Sequence, residues 1–142
     1  MANWSYEDTG LATDALVINS ITATPDPLAT GRTNVFTINA TAQAEIADGA
    51  YLDVTIKLGL IKLLTKRYDL FTQLRGAGDL KLTCETSDGK SPIPKGDTTL
   101  TLTMDFPKEI PRAKFNLTVQ GYTADEDDLL SLKAQVNFLP SL

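Results

Sequence analysis

Polar and apolar residues alternate along most of this chain. In Tyr51–Leu58, Leu52, Val54, Ile56 and Leu58 alternate with Tyr51, Asp53, Thr55 and Lys57. Successive strand side chains point to opposite faces, so a period of two predicts a half-buried strand. Residues 99–106 repeat the pattern, with Leu100, Leu102, Met104 and Phe106 inward. Lys114–Tyr122 turns Phe115, Leu117 and Val119 inward, and residues 132–138 do the same with Leu132, Ala134, Val136 and Phe138. Residues 35–42 place Phe36, Ile38 and Ala40 on one face, and Leu16–Thr24 and 80–84 are shorter candidates.

Turn residues separate these runs: Pro25-Asp26-Pro27, Gly31, Asp48-Gly49, the Gly/Pro/Ser/Lys-rich stretch 87–97, and Ile110-Pro111. Seven or eight short strands punctuated this way predict an all-β fold, a β-sandwich of two antiparallel sheets. At 142 residues the chain is expected to form a single domain, 1–142, large enough to bury a core without staples. One segment breaks the rule. After Gly59, the apolar Leu60, Ile61, Leu63 and Leu64 cluster around Lys62, with Lys66 and Arg67 following. Such a run is either covered on both sides or exposed at a functional mouth.

Charge and composition narrow the function. The net charge of −5 argues against nucleic acid as a partner. Yet Lys57, Lys62, Lys66, Arg67, Arg75 and Lys81 fall in one stretch that holds only Asp69 and Asp79 as acids. That stretch reads as a solvated strand face or as a docking surface for anionic headgroups. No run approaches the roughly 20 apolar residues of a spanning helix. Residues 1–15 carry neither a basic n-region nor an apolar h-region, so no secretory signal is expected there. Sequons at Asn3, Asn39 and Asn116 matter only in the secretory pathway.

The chemistry of catalysis is missing from the inventory. There is no histidine, which removes the commonest general base and zinc ligand. The single cysteine, Cys84, excludes an intrachain disulfide and reads as a small buried hydrophobe. Gly76-Ala77-Gly78 lacks the third glycine and helix of a phosphate cradle and reads as a turn. Asp125-Glu126-Asp127-Asp128 lacks calcium-loop spacing and reads as a hairpin loop between two strands. No catalytic residue, metal ligand or cofactor is therefore expected. The period-two pattern fits a solid sandwich and a hollow one equally. A hollow core would gain about 0.8 kcal/mol per lipid methylene it buries.

Several strings resemble the ML (lipid-recognition) domain family. Asn3-Trp4-Ser5-Tyr6-Glu7-Asp8-Thr9-Gly10 is similar to its opening. Gly49-Ala50-Tyr51-Leu52-Asp53-Val54-Thr55-Ile56-Lys57-Leu58-Gly59-Leu60-Ile61-Lys62-Leu63-Leu64 resembles the central strand of its fungal phosphatidylglycerol/phosphatidylinositol transfer branch. The segments from Pro107 to Phe115 and from Gly121 to Leu130 are similar to the same branch. Niemann–Pick-type sterol carriers are further relatives. The resemblance implies an immunoglobulin-like sandwich with a lipid cavity between its sheets. It implies a non-enzymatic carrier holding a phospholipid, sterol or fatty-acid tail, with a surface-acting recognition protein as the alternative.

By position, the resemblance makes Val54, Ile56, Leu58, Leu102, Phe106, Phe115, Val119, Val136 and Phe138 the cavity lining. Leu60 and Leu64 would stand near its entrance, and Ile61, Lys62, Lys66 and Arg67 are the membrane-docking candidates. The expected partners are a lipid ligand, an anionic membrane surface in transient contact and, under the alternative, a cell-surface receptor. Thr9, Phe71 and Ser131 occupy positions where the family has cysteines, the positions of Thr9 and Ser131 being bridged in relatives. Phe71 stands where Cys84 would find its partner. Without these bridges the expected location is the cytoplasm or another reducing compartment, or the outside by an unconventional route.

Overall fold

The computed structural model describes residues 3–139. Nine strands and one short helix follow in order: β1 (Trp4–Asp8), β2 (Leu16–Thr24), β3 (Thr33–Ala42), β4 (Tyr51–Leu58), β5 (Ile61–Asp69), α1 (Leu70–Leu74), β6 (Lys81–Cys84), β7 (Gly96–Asp105), β8 (Lys114–Tyr122) and β9 (Asp128–Asn137). They form two antiparallel sheets, ordered β1-β9-β8-β4-β5 and β2-β3-β7-β6. The count is nine rather than seven or eight. β1 is too short for its alternation of Trp4 and Tyr6 with Ser5 and Glu7 to stand out, and β5 has no regular alternation.

A β-bulge explains β5. Ile56 pairs with Leu64 and Lys57 with Lys62, so Leu63 is an extra residue with no partner across the ladder. A bulge shifts the inside–outside phase, which is why the apolar residues between Ile61 and Leu64 do not alternate. A second bulge, in β9, pairs Gly121 with Leu130 and Tyr122 with Asp128, leaving Leu129 free to turn fully into the core. Gly121 permits this close packing. A Cβ there would stand 3.0 Å from Leu52, 3.1 Å from Leu129 and 3.2 Å from Leu130. That contact also fixes the inward face of the larger sheet: Leu52, Val54, Ile56 and Leu58 on β4, with their β8 and β9 partners.

The two ends of the sandwich differ. At one end α1 starts on Asp69, whose carboxylate accepts from the backbone N–H of Thr72 at 3.0 Å and from its hydroxyl at 2.6 Å. The helix drops Phe71 into a fully buried cluster with Ile46, Ile93, Leu129, Leu70, Leu82 and Leu100. Ile46 and Ile93 pair as an isolated bridge over that end. The opposite end carries the β2–β3, β4–β5 and β7–β8 connections, and its inward side chains are packed quite differently.

Candidate functional site

In a solid sandwich, an inward side chain on a central strand is fully buried, as Ala40, Ala42 and Leu100 are near α1. Away from α1 this fails. Val54, Ile56 and Leu58 on β4, Phe115, Leu117 and Val119 on β8, and Leu132, Ala134 and Val136 on β9 are all only half-buried. Across the gap Phe36, Ile38, Leu102 and Met104 are half-buried as well. Strands β4 and β8 are flanked on both sides by other strands, so water reaches these side chains through the space between the sheets. Over this half the inward faces of the two sheets cover each other only in part, which leaves an apolar gap between them.

Each residue expected to line a cavity lies on this inward side: Val54, Ile56, Leu58, Leu102, Phe115, Val119 and Val136 along the gap, and Phe106 and Phe138 at its end. Phe138 packs edge-on against Phe106 of the other sheet at 5.9 Å and near Phe115 at 6.2 Å. These rings form a partial plug at the open end. Leu64 is half-buried opposite Ile56. Leu60, at the tip of the β4–β5 turn, is fully exposed, as are most of Ile61 (63%) and half of Leu63 (51%). The aberrant apolar run is therefore an uncovered lip.

The basic candidates separate. Lys62 lies on the outer face opposite Lys57. Arg67, also outward, is bidentate on Asp53 (2.8 and 3.1 Å) and sits 4.1 Å above the Tyr51 ring. Lys66 shares the inward register with Val54 and pairs with Asp79, in the segment leading to β6, across the gap between the sheet edges. That hydrogen-bonded ion pair raises the Lys66 pKa and lowers that of Asp79. Both pairs are solvent-exposed, so they position side chains more than they stabilise the fold.

Several lining residues carry no mark in the sequence beyond their strand phase: Trp4, Tyr6, Phe36 and Met104. Trp4 reaches from β1 to meet Phe36 of the opposite sheet edge-on at 5.8 Å. Its indole N–H is buried with no acceptor among the described residues. A separate hollow of about 140 Å³ near Thr9, Ser131 and Asp14 lies toward the packed end. Asp14 is almost fully buried there, and loss of hydration raises its pKa, reinforced by the charges of Asp128 and Asp8. No group of side chains among the described residues could hold a metal ion.

Comparison with known proteins agrees with this architecture. The family model of the ML domain matches residues 4–138. The phosphatidylglycerol/phosphatidylinositol transfer protein of Cryptococcus neoformans var. neoformans serotype D is 42% identical over 137 residues, covering 96% of this chain and 72% of that protein. The protein of the same name from Mycosarcoma maydis is 32% identical over 135 residues, covering 95% and 66%. Among solved structures, a Niemann-Pick type C2 protein from Japanese carpenter ant superposes with a TM-score of 0.64 at 13% identity, covering 94% of this chain and 98% of that one. Chicken MD-1 complexed with lipid IVa gives a TM-score of 0.64 at 17% identity, covering 98% and 94%. These two likenesses establish the two-sheet fold. With its sequence matched from β1 to the end of β9, this chain belongs to the ML domain family.

Proposed function

We propose that this chain is a non-catalytic lipid carrier that holds the tails of a phospholipid in the gap between its sheets. The observation that carries this reading is the half-burial of Val54, Ile56, Leu117 and Val119 on the inward faces of central strands. Apolar groups left wet inside a sandwich forgo both hydrophobic and dispersion energy, and an acyl chain or sterol would restore them. The orphaned N–H of Trp4 supports it further, since an ester carbonyl in the gap would give that donor its acceptor. The names of the relatives favour a carrier over a protein acting through its outer surface alone.

Loading requires contact with a membrane, and the open end fits that task. Leu60, Ile61 and Leu63 form an apolar lip beside Lys62. At the same end Arg32, Lys108, Arg112 and Lys114, on or beside the β2–β3 and β7–β8 connections, outnumber Asp26, Asp105 and Glu109, while Asp48 and the Asp125–Asp128 run lie at the other end. An acidic chain with a cationic open end would be oriented mouth-first by an anionic bilayer. In this reading Ile61 and Lys62 dock directly, while Lys66 and Arg67 hold the lip's strand in place through Asp79 and Asp53.

Mass spectrometry of organic extracts from the purified protein tests the carrier reading. Stoichiometric lipid, or uptake of a fluorescent phospholipid by the delipidated chain, is the expected result; reproducible absence of both would sink it. Leu58→Trp provides a structural check. In an open gap the ring should compete with lipid at little stability cost, whereas in a filled core overpacking would destabilise by about 1–3 kcal/mol.

A further inference from the structure

A second cleft, of about 490 Å³, opens at the same end of the molecule, outside the gap. Its lining includes Asn3, Leu28, Lys108, Ile110, Arg112 and Phe138. The residues lining it contain two cations and no carboxylate. Neither Lys108 nor Arg112 belongs to an ion pair among the described residues, whose pairs are Lys66–Asp79, Arg67–Asp53, Arg75–Asp48 and Lys81–Asp105. Glu109, between the two cations in sequence, is exposed and does not line the cleft.

The wall of the cleft formed by the β2–β3 connection is held firmly. The Asn3 amide accepts from the N–H of Leu28 at 2.7 Å and donates to its carbonyl at 3.0 Å. Asn34, fully buried, accepts from Ala29 N–H at 2.9 Å and donates to the carbonyls of Ala29 at 2.8 Å and Arg32 at 3.0 Å. Two asparagines thus fix the β2–β3 connection from within. Gly31, in the left-handed region at φ 69°, lets the Lys108 stem cross it: a Cβ there would stand 2.5 Å from Lys108 Cγ. The cleft also shares a wall with the gap, because Phe138 lines it and belongs to the aromatic plug with Phe106 and Phe115.

A cationic, preformed cleft joined through one ring to an apolar gap matches an amphiphile with an anionic head. We infer that the cleft receives the phosphodiester headgroup of an anionic glycerophospholipid, with Lys108 and Arg112 as its two charge contacts. The inference rests on the carrier reading and adds headgroup selection to it. A choline headgroup would bring its own cation beside Lys108 and Arg112, so the cleft discriminates by repulsion as well as attraction.

The test compares two fluorescent phospholipids with identical acyl chains, one with a glycerol and one with a choline headgroup. Each is presented at trace level in the same neutral phosphatidylcholine vesicles, which keeps surface charge constant. The wild-type chain should favour the glycerol-headgroup lipid. Lys108→Gln/Arg112→Gln should lower its uptake relative to that of the choline lipid by about 25-fold, about fivefold per cation removed, and so erase the preference. An unchanged thermal midpoint excludes unfolding as the cause. Equal loss of both lipids, or retained preference in the double variant, overturns the headgroup assignment while leaving the carrier intact. Uptake of neither lipid by the wild-type chain overturns the carrier reading and the assignment with it. Inorganic phosphate and deacylated glycerophosphoglycerol distinguish the source of the phosphate. They should not displace bound lipid, and displacement at concentrations comparable to the lipid's own would make this a site for soluble phosphates instead.

Discussion

Thr9 and Ser131 face each other at the two positions where the family resemblance implies a cysteine bridge. Their hydroxyls lie 2.6 Å apart, and the Thr9 N–H donates to the Ser131 carbonyl at 3.1 Å, extending the β1–β9 ladder by one pair. A hydrogen bond of about 1 kcal/mol thus stands in for a covalent staple. The other position is filled by bulk: Phe71, completely buried, packs in the same cluster as the free Cys84. The two sites should respond oppositely to cysteine. Thr9→Cys/Ser131→Cys should close under mild oxidation and raise stability by about 2–4 kcal/mol, reversibly with reductant. Phe71→Cys should cost about 3–5 kcal/mol, because it empties a ring-sized volume within that buried cluster. Urea titrations with and without reductant check both. Three free thiols per chain in the oxidised double variant, rather than that of Cys84 alone, would show that the β1–β9 geometry is not that of a bridge.

The β4–β5 hairpin shows most clearly what a strand pattern can and cannot convey. Strands β3, β4, β7, β8 and β9 were legible because each carries an alternating apolar run between turn residues, while β2, whose phase shifts between Ile18 and Ser20, and the four-residue β6 were legible only as shorter candidates. Their inward faces followed from the same alternation, but a gap between those faces did not, because a solid sandwich has the same period. β5 was not legible as a strand, because the bulge at Leu63 interrupts its phase and its edge position leaves Ile61 and Leu63 uncovered. Helix α1 is set by a single Asp69 cap and five residues, too few for a helical period to show. The Lys108–Arg112 cleft was equally hidden. Its walls come from two connections distant in sequence, and a loop with two cations around Ile110-Pro111 carries no period. The exposed hairpin makes its own prediction. Leu60→Asp/Ile61→Asp should slow lipid transfer between vesicles severalfold and leave equilibrium occupancy of lipid delivered from solvent unchanged. Its effect on stability should stay within about 0.5 kcal/mol, because both side chains are already in water. An unchanged transfer rate would remove the lip from the docking step.

The molecule as a whole divides into a packed half and an open half, and that division is the physical basis of a carrier. The fold must survive without cargo, so its stability has to come from somewhere other than the gap. The cluster of Ile46, Phe71, Ile93 and Leu129 under α1 supplies it, each residue shielded from water. The gap-facing Leu117 and Val119 then contribute little until a ligand touches them. Two leucines in neighbouring strands, Leu129 and Leu117, separate these roles. In delipidated protein, Leu129→Ala should cost about 2–5 kcal/mol, the range for leucines emptied from close-packed cores. Leu117→Ala should cost about 1 kcal/mol or less, since its side chain already borders open space and its loss creates no new enclosed cavity. Loading with lipid should reverse part of that difference. Bound ligand stabilises the native state by mass action, and Leu117 then has tail atoms to lose. The measurement is a pair of denaturant titrations, empty and loaded, for wild type and both variants. A Leu117→Ala cost equal to that of Leu129→Ala in the empty protein would mean that the sheets close on each other without cargo. A Leu117→Ala cost that stays small with lipid bound would mean that the tails lie elsewhere.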